Sequence, residues 1–562
     1  MNQRPAIVRF AHQKINGMKK FVLTLVFIAP CLFLKAQEKP KLVVGVVVDQ
    51  MRQEYLYRFE KKFGPGGFKR LMADGFVLKN AHYSYIPTYT GPGHASIYTG
   101  ATPATHGIIG NDWYDRVAKT TVNCVGDDQQ KAVGNELAKG AVSPWRMLST
   151  TITDELELAT QKRSIVIGLS LKDRGAVLPA GHLADGAYWF DSPSGAFISS
   201  TFYKPGLPTW LEKFNALKLP DQYLNREWKT LLPIEQYEES GPDDSPYETR
   251  FKGKDEKPVF PYKLKELRKP TGFDLIISTP FGSDLITDAA KAAIDGEDLG
   301  MDDITDFLSV SYSSPDYIGH SMGPNSVEVE DAYLRLDKNI EDLLGHLDKK
   351  IGAGKYIVFL TSDHGVADAP MYLKDNKLSA GIFNISKVQA GLEEFLKTYF
   401  GEKKLIERII NDQIFLNQEA FTGDPKTAGV DLLVATELIS QYMLSVNGVA
   451  SVYTASTMRS ADFGEKGIKG NLVRGYNHKR SGDILFVLEP HWIGWTGTIG
   501  TTHGSGYSYD THVPVMFYGW GIKKGSTVDY YTISDIAPTL SVLLGIKFPS
   551  GCTGQPIGAV IK

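Results

Sequence analysis

Cysteine is scarce in this 562-residue sequence: only Cys31, Cys124 and Cys552 are present. That excludes a disulfide-stapled scaffold and any zinc site built on paired cysteines. Cys124 and Cys552 either pair in an oxidising compartment or stay as two free thiols; their spacing does not choose. Charge excess is also absent, with a formal net charge of −3, so nothing electrostatic argues for a nucleic-acid or anionic-membrane partner. There is no internal repeat, heptad run or low-complexity segment. Beyond residue 36 no apolar run is long enough to span a bilayer, so no stable membrane anchor is expected, and the mature chain is expected to be a soluble monomer.

With 42% hydrophobic and 22% charged residues, the chain has material for a large globular core. Its first residues read as an address. Lys19 and Lys20 precede the apolar run Phe21–Leu34, and Ala36 offers a small residue for cleavage. Residues 1–36 are therefore expected to be a signal peptide, with Met18 a candidate start, and the protein to be secreted, into the periplasm of a bacterium. Removing them takes away six Lys or Arg and no acid, which moves the net charge from −3 to −9.

The segment Leu42–Val48 is continuously apolar, the pattern of a strand covered on both faces. Similar strands are expected at Ser164–Gly168, Phe307–Tyr312, Tyr356–Leu360, Asp483–Leu488 and Val513–Tyr518. Helical spacing is clearest over Val327–Lys349, with further helices over Leu285–Ile294, Asp431–Leu444 and Ile533–Leu544. Strands alternating with helices predict an α/β fold: a large, mainly parallel central sheet with helices on both faces. Two stretches break the rhythm, about 175–275 and about 370–480. Both are expected to be insertions forming a cap or lid on a catalytic domain spanning 37–562.

Acids and imidazoles gather just after these strands. Asp49 follows the first; Asp316 and His320 follow Phe307–Tyr312; Asp363 and His364 follow Tyr356–Leu360; His503 lies beyond Asp483–Leu488. Asp363 and His364 are adjacent and can serve one site only if the chain turns, which Gly365 permits. A lone Asp after a strand is more often a cap, and a lone His more often a satisfied core residue. Three of each at one edge of one sheet would repel and desolvate one another unless cations filled the array. Mixed His/Asp ligation without cysteine suits Zn²⁺ or a similar transition metal, and six ligands divide into two sets of three.

A nucleophile candidate stands nearby. Thr90, in Thr90-Gly91-Pro92-Gly93-His94, is expected at the N-terminal lip of a helix that Pro92 helps to start and Gly100 ends. Free amides there favour an anion. The same residue also suits a plain N-cap, and Thr88 and Ser96 are rivals. Asn111, Lys172 and Arg174 are candidate donors to phosphoryl oxygens, against the bland reading of an Asx-turn and a solvated basic turn.

The segments Val47-Val48-Asp49, Thr90-Gly91-Pro92-Gly93-His94, Pro315–Pro324, Ser362-Asp363-His364-Gly365 and Thr502-His503-Gly504 together resemble the alkaline phosphatase superfamily. The likeness is greatest to phosphate-irrepressible secreted (PafA-type) alkaline phosphatases, which share a core with type I phosphodiesterases and nucleotide pyrophosphatases. It runs from about Leu42 to Leu544. The resemblance implies two Zn²⁺ per chain, one on Asp316, His320 and His503, the other on Asp49, Asp363 and His364 with Thr90 bridging towards it. It implies hydrolysis of phosphate monoesters through a phosphothreonine at Thr90, with Asn111, Lys172 and Arg174 on the non-bridging oxygens. The Lys172/Arg174 pair suits a dianionic monoester; the alternative is a phosphodiesterase or nucleotide pyrophosphatase using the same metals and nucleophile. The Cys/Ser-x-Pro-x-Arg pattern of sulfatases is absent around Thr90.

Overall fold

Residues 39–135, 140–251, 257–421 and 429–562 are described by the computed structural model. The signal-peptide reading and Cys31 fall outside them. Residues Pro40–Lys562 form one compact unit, and no helix among the described residues is long and apolar enough to cross a membrane.

The core is a ten-stranded sheet. Its strands are β1 (Leu42–Val48), β2 (Phe76–Leu78), β3 (Ala132–Val133), β4 (Val166–Ser170), β5 (Gly186–Asp191), β6 (Ala196–Ser200), β7 (Asp306–Tyr312), β8 (Tyr356–Thr361), β9 (Val515–Gly519) and β10 (Gly525–Thr527), in the spatial order β10-β2-β9-β8-β1-β7-β4-β5-β6-β3. The five middle strands, β8-β1-β7-β4-β5, are parallel, while β9 and β6 flank them antiparallel. All seven residues of β1 are buried, because hydrophobic clusters cover both faces. Five helices place the residues of interest: α1 (Thr90–Thr99), α2 (Asp173–Ala180), α3 (Phe281–Gly296), α4 (Ser314–Met322) and α5 (Val327–Lys350).

Two expectations need correction. Residues 186–200 do not break the rhythm, since β5 and β6 extend the central sheet. The strand Ile484–Leu488 does not lie in the central sheet. It joins Val449–Thr454, Gln413–Leu416 and Ile406–Ile410 in a separate four-stranded antiparallel sheet with its own core around Ile414, Ile439 and Phe486. A fully buried apolar run has the same sequence pattern in either sheet, so periodicity does not distinguish them. Residues 484–488 therefore group with residues 406–454 rather than with the central sheet.

Candidate active site

β1, β7 and β8 are neighbours in parallel register, so their C-terminal ends fall together. Asp49 leaves β1, α4 begins two residues after β7 ends, and Asp363 lies two residues after β8 ends. This is the edge where ligands bind in open α/β sheets. Ser362 shapes the turn: its Oγ accepts from Met51 N at 2.8 Å and donates to His364 O at 2.7 Å. Gly365 is needed for room rather than for a left-handed backbone, because a Cβ there would lie 2.2 Å from Tyr509 O.

α1 approaches from the other side. Gly93 allows the contact: a Cβ at that position would lie 2.3 Å from the Asp363 carbonyl oxygen. Tyr89 is the N-cap and Thr90 the first helical residue, so Thr90 is not the cap. Its Oγ1 instead lies 3.4 Å from His364 Nε2. Two of the expected free amides are taken. Gly91 N donates to Asn111 Oδ1 at 2.7 Å, Pro92 has no N–H, and Gly93 N donates to Tyr89 O at 2.8 Å. Anion recognition beside Thr90 thus falls to side chains and the Thr90 amide. Asn111, fixed through its oxygen, keeps its Nδ2 group as a donor.

The six acids and imidazoles converge. His364 Nε2 is 3.4 Å from Asp49 Oδ1 and 3.5 Å from Asp363 Oδ2. Asp316 Oδ1 is 3.1 Å from His320 Nε2 and 3.7 Å from His503 Nε2. Asp49, Asp363 and His364 form one cluster with ligand atoms within 4.8 Å of each other; Asp316, His364 and His503 form another. His364 thus belongs to both, its ring stacked 3.4 Å from that of His503, while His320 stands at the rim against Asp316. The other ring nitrogens are tied down: His364 Nδ1 to Gly365 O at 3.0 Å, His320 Nδ1 to Thr501 O at 2.8 Å, and His503 Nδ1 to Thr88 O at 2.7 Å. With Nδ1–H donating to a carbonyl, the Nε2 atoms of His364 and His503 are acceptors aimed into the cluster, whereas burial opposes charge on His320 but Asp316 raises its pKa above the ordinary value.

Electrostatics favour cations here. Burial, then Asp49, pushes Asp363 well above the usual carboxylate range. Burial and Asp316 raise Asp49 against the pull of Lys172. Burial opposes ionisation of Asp316, but His320 and Lys172 hold it well below the usual range. Burial and His503 keep His364 neutral, and burial and His320 push His503 down to about 3. Asp49 Oδ1 and Asp363 Oδ2 are buried with no hydrogen-bond partner. Orphaned carboxylate oxygens beside neutral imidazoles are a donor set that fits transition-metal ions.

Lys172 occupies the N-cap position of α2 without a capping bond, and its side chain binds across the cluster, Nζ lying 2.7 Å from Asp49 Oδ2 and 2.6 Å from Asp316 Oδ2. It is thus engaged by two of the acids rather than free above Thr90. The Arg174 Nε is buried and unpartnered, with Nη1 3.8 Å from Asp173. Two residues escaped the sequence reading. Gln50, in a left-handed conformation at φ 65°, donates from Nε2 to Asp316 Oδ1 at 2.6 Å and from its backbone to Asp363 Oδ1 at 3.2 Å. His94 bonds Thr90 O at 2.9 Å and Ser311 Oγ at 3.0 Å, bracing α1 against β7. His94 was visible as the i+4 neighbour of Thr90; Gln50 had no signal beyond following Asp49.

The type I phosphodiesterase / nucleotide pyrophosphatase family model matches residues 43–505, from β1 to just past His503. The chain belongs to that family. Among curated proteins it is 45% identical to the alkaline phosphatase PhoV of Synechococcus elongatus, over 95% of each chain. It is 45% identical to a Myroides odoratus protein named calcium-transporting ATPase, over 93% of this chain and 95% of that one. It is 43% identical to the alkaline phosphatase PafA of Elizabethkingia meningoseptica, over 97% and 99%. A crystal structure of wild-type PafA superposes with a TM-score of 0.89 at 43% identity, covering 93% of this chain and 99% of that one. The ten-stranded sheet is therefore the fold of that family member as well as of this one.

Proposed function

We propose that this chain is an alkaline phosphatase that hydrolyses phosphate monoesters through a covalent phosphothreonine at Thr90. The observation that carries the reading is the placement of Thr90 Oγ1, helix-initiating but uncapping, 3.4 Å from His364 in the middle of the acid–imidazole cluster. Relatives named alkaline phosphatase at 43–45% identity support it. Two Zn²⁺ ions, on Asp316/His320/His503 and Asp49/Asp363/His364, would lower the pKa of a hydroxyl or water and neutralise charge on the transferring group. The chain's own residues do the rest. Thr90 Oγ1 bonds to phosphorus as the alcohol leaves, and water then cleaves the Thr90 ester to release phosphate and restore the hydroxyl. His94 and the Gly91–Asn111 bond hold the start of α1 in place. Arg174 and the Asn111 amide meet the non-bridging oxygens, and Lys172 adds charge while balancing Asp49 and Asp316. Export behind a cleaved leader at residues 1–36 to the periplasm, and a monomeric state, belong to the same proposal.

The family model's name keeps phosphodiester hydrolysis as the competing reading. The half-buried Arg174 beside Lys172 favours the monoester, whose second negative charge needs a cation. Rates on a simple aryl phosphate and on its methyl diester, for the native chain and Arg174→Ala, separate the two. The monoester rate is expected to exceed the diester rate and to fall alone in the variant; equal losses would favour the diesterase.

A further inference from the structure

Beside His503 and Tyr89 lies a cavity of about 70 Å³ that the steps at Thr90 do not use. A water needs roughly 10–15 Å³ in this measure, so the space admits a small polar head. Tyr89, Phe486, Trp492 and Tyr509 contribute to its walls, and so do two acids, Asp412 and Asp510. Among the described residues, no Lys or Arg lines it.

The two acids are unlike ordinary surface carboxylates. Asp510 is 1% exposed. Its Oδ2 accepts from Gly504 N, Ser505 N and Ser505 Oγ at 3.1, 2.7 and 2.6 Å, while Oδ1 is buried with no partner. Asp412 comes from the second insertion. Ile410 pairs with Gln413, so Asn411-Asp412 is a two-residue hairpin turn with both residues at positive φ, 54° and 56°. That geometry favours glycine at the second position. The tip is nonetheless anchored at the site: Asn411 Nδ2 donates to Asp112 O at 2.7 Å, next to Asn111, and Phe486 N donates to Asp412 O at 3.0 Å. Burial alone pushes the Asp412 carboxyl up to about 7. A half-buried acid thus stands at a strained position in a wall shared with aromatic rings and with Asp510. Carboxylates among aromatic faces are the chemistry that recognises an alkylammonium group.

We propose that this cavity is a leaving-group subsite that selects phosphate monoesters bearing a compact ammonium group, with Asp412 and Asp510 as its anionic contacts. The proposal deepens the phosphatase reading and rests on it. Tyr89 is covalently next to Thr90 and His503 is stacked on His364, so the alcohol portion of an ester at Thr90 extends past His503 into the cavity. Asp412 acts on specificity and leaves the chemical step alone.

The test compares phosphoethanolamine with n-propyl phosphate, similar in length but lacking the ammonium, using p-nitrophenyl phosphate as a reference. The native enzyme is expected to prefer phosphoethanolamine in kcat/KM by roughly tenfold. Asp412→Asn is expected to bring that ratio near one while leaving n-propyl phosphate turnover within about twofold. Asp412→Gly, which suits the turn better, is expected to lose the preference while keeping or raising the melting temperature; a purely structural Asp412 would not separate those readouts. A native ratio near one, or a ratio that survives in both variants while the aryl phosphate is turned over, overturns the subsite and leaves the phosphatase reading intact. If the aryl phosphate is not turned over, the phosphatase reading fails instead. Calorimetry with free ethanolamine then decides the subsite: binding lost in Asp412→Asn supports it, and no binding to the native chain overturns it.

Discussion

Two groups of buried acids in this chain meet the same physical problem and resolve it differently. At the sheet edge, Asp49, Asp316 and Asp363 are crowded with His320, His364, His503 and Lys172. Under the first insertion, Glu328 on α5 and Glu248 are also buried, each with an unpartnered Oε2, and Glu328 Oε1 accepts from Tyr262 OH at 2.5 Å. Burial, then Glu328, pushes Glu248 far up, and burial pushes Glu328 up as well. The second pair has no imidazole among its partners and is not among the described clusters able to hold a metal. Its remedy is protonation. The first group has the neutral imidazole nitrogens of His364 and His503 aimed into it, so cations can settle its charge. Two desolvated carboxylates alone do not make a zinc-type centre; the imidazoles decide it.

The largest effect expected from this contrast is at the nucleophile. Thr90→Ala should lower the monoester rate by roughly 10⁴-fold or more without lowering the melting temperature, as read by steady-state rates and calorimetry. Retained activity would remove the first cluster's chemical role. Next is metal removal. Chelation should abolish turnover and also destabilise the fold, because it leaves unpaired buried carboxylates worth about 3–5 kcal/mol; Zn²⁺ should restore both. Arg174→Ala should cost the monoester about 10- to 100-fold and the methyl diester little, by comparison of kcat/KM. The smallest effect lies in the second cluster. The folded pKa values of Glu248 and Glu328 exceed the unfolded value near 4.5, so the folded state holds more protons above that pH. Their stabilisation is complete below about pH 4.5 and declines as pH rises through the folded values. Glu328→Gln should flatten that decline in denaturant titrations from pH 5 to 9 and leave activity unchanged.

The parallel core was legible because strands covered on both faces are continuous apolar runs: β1 was read to the residue, and Val327–Lys349 differs from α5 by one residue. Asp49, Asp316, Asp363, His364 and Lys172 were legible because they sit just after those runs; His503, Thr90 and Asn111 do not, and were legible only through their motifs. What failed depended on partners distant in sequence. Ile484–Leu488 reads as a core strand but pairs with Val449–Thr454. The helix-end amides were expected to be free, but Asn111, twenty residues on, takes one. The second insertion reaches the site through Asn411 and Asp412, an adjacency that only the folded hairpin creates.

Anomalous diffraction at the zinc edge, from crystals grown with Zn²⁺, tests the central claim most directly. Two peaks are expected, one bounded by Asp49, Asp363 and His364 and the other by Asp316, His320 and His503. A site without peaks, with the acids satisfied by protons as Glu248 and Glu328 are, would contradict the account.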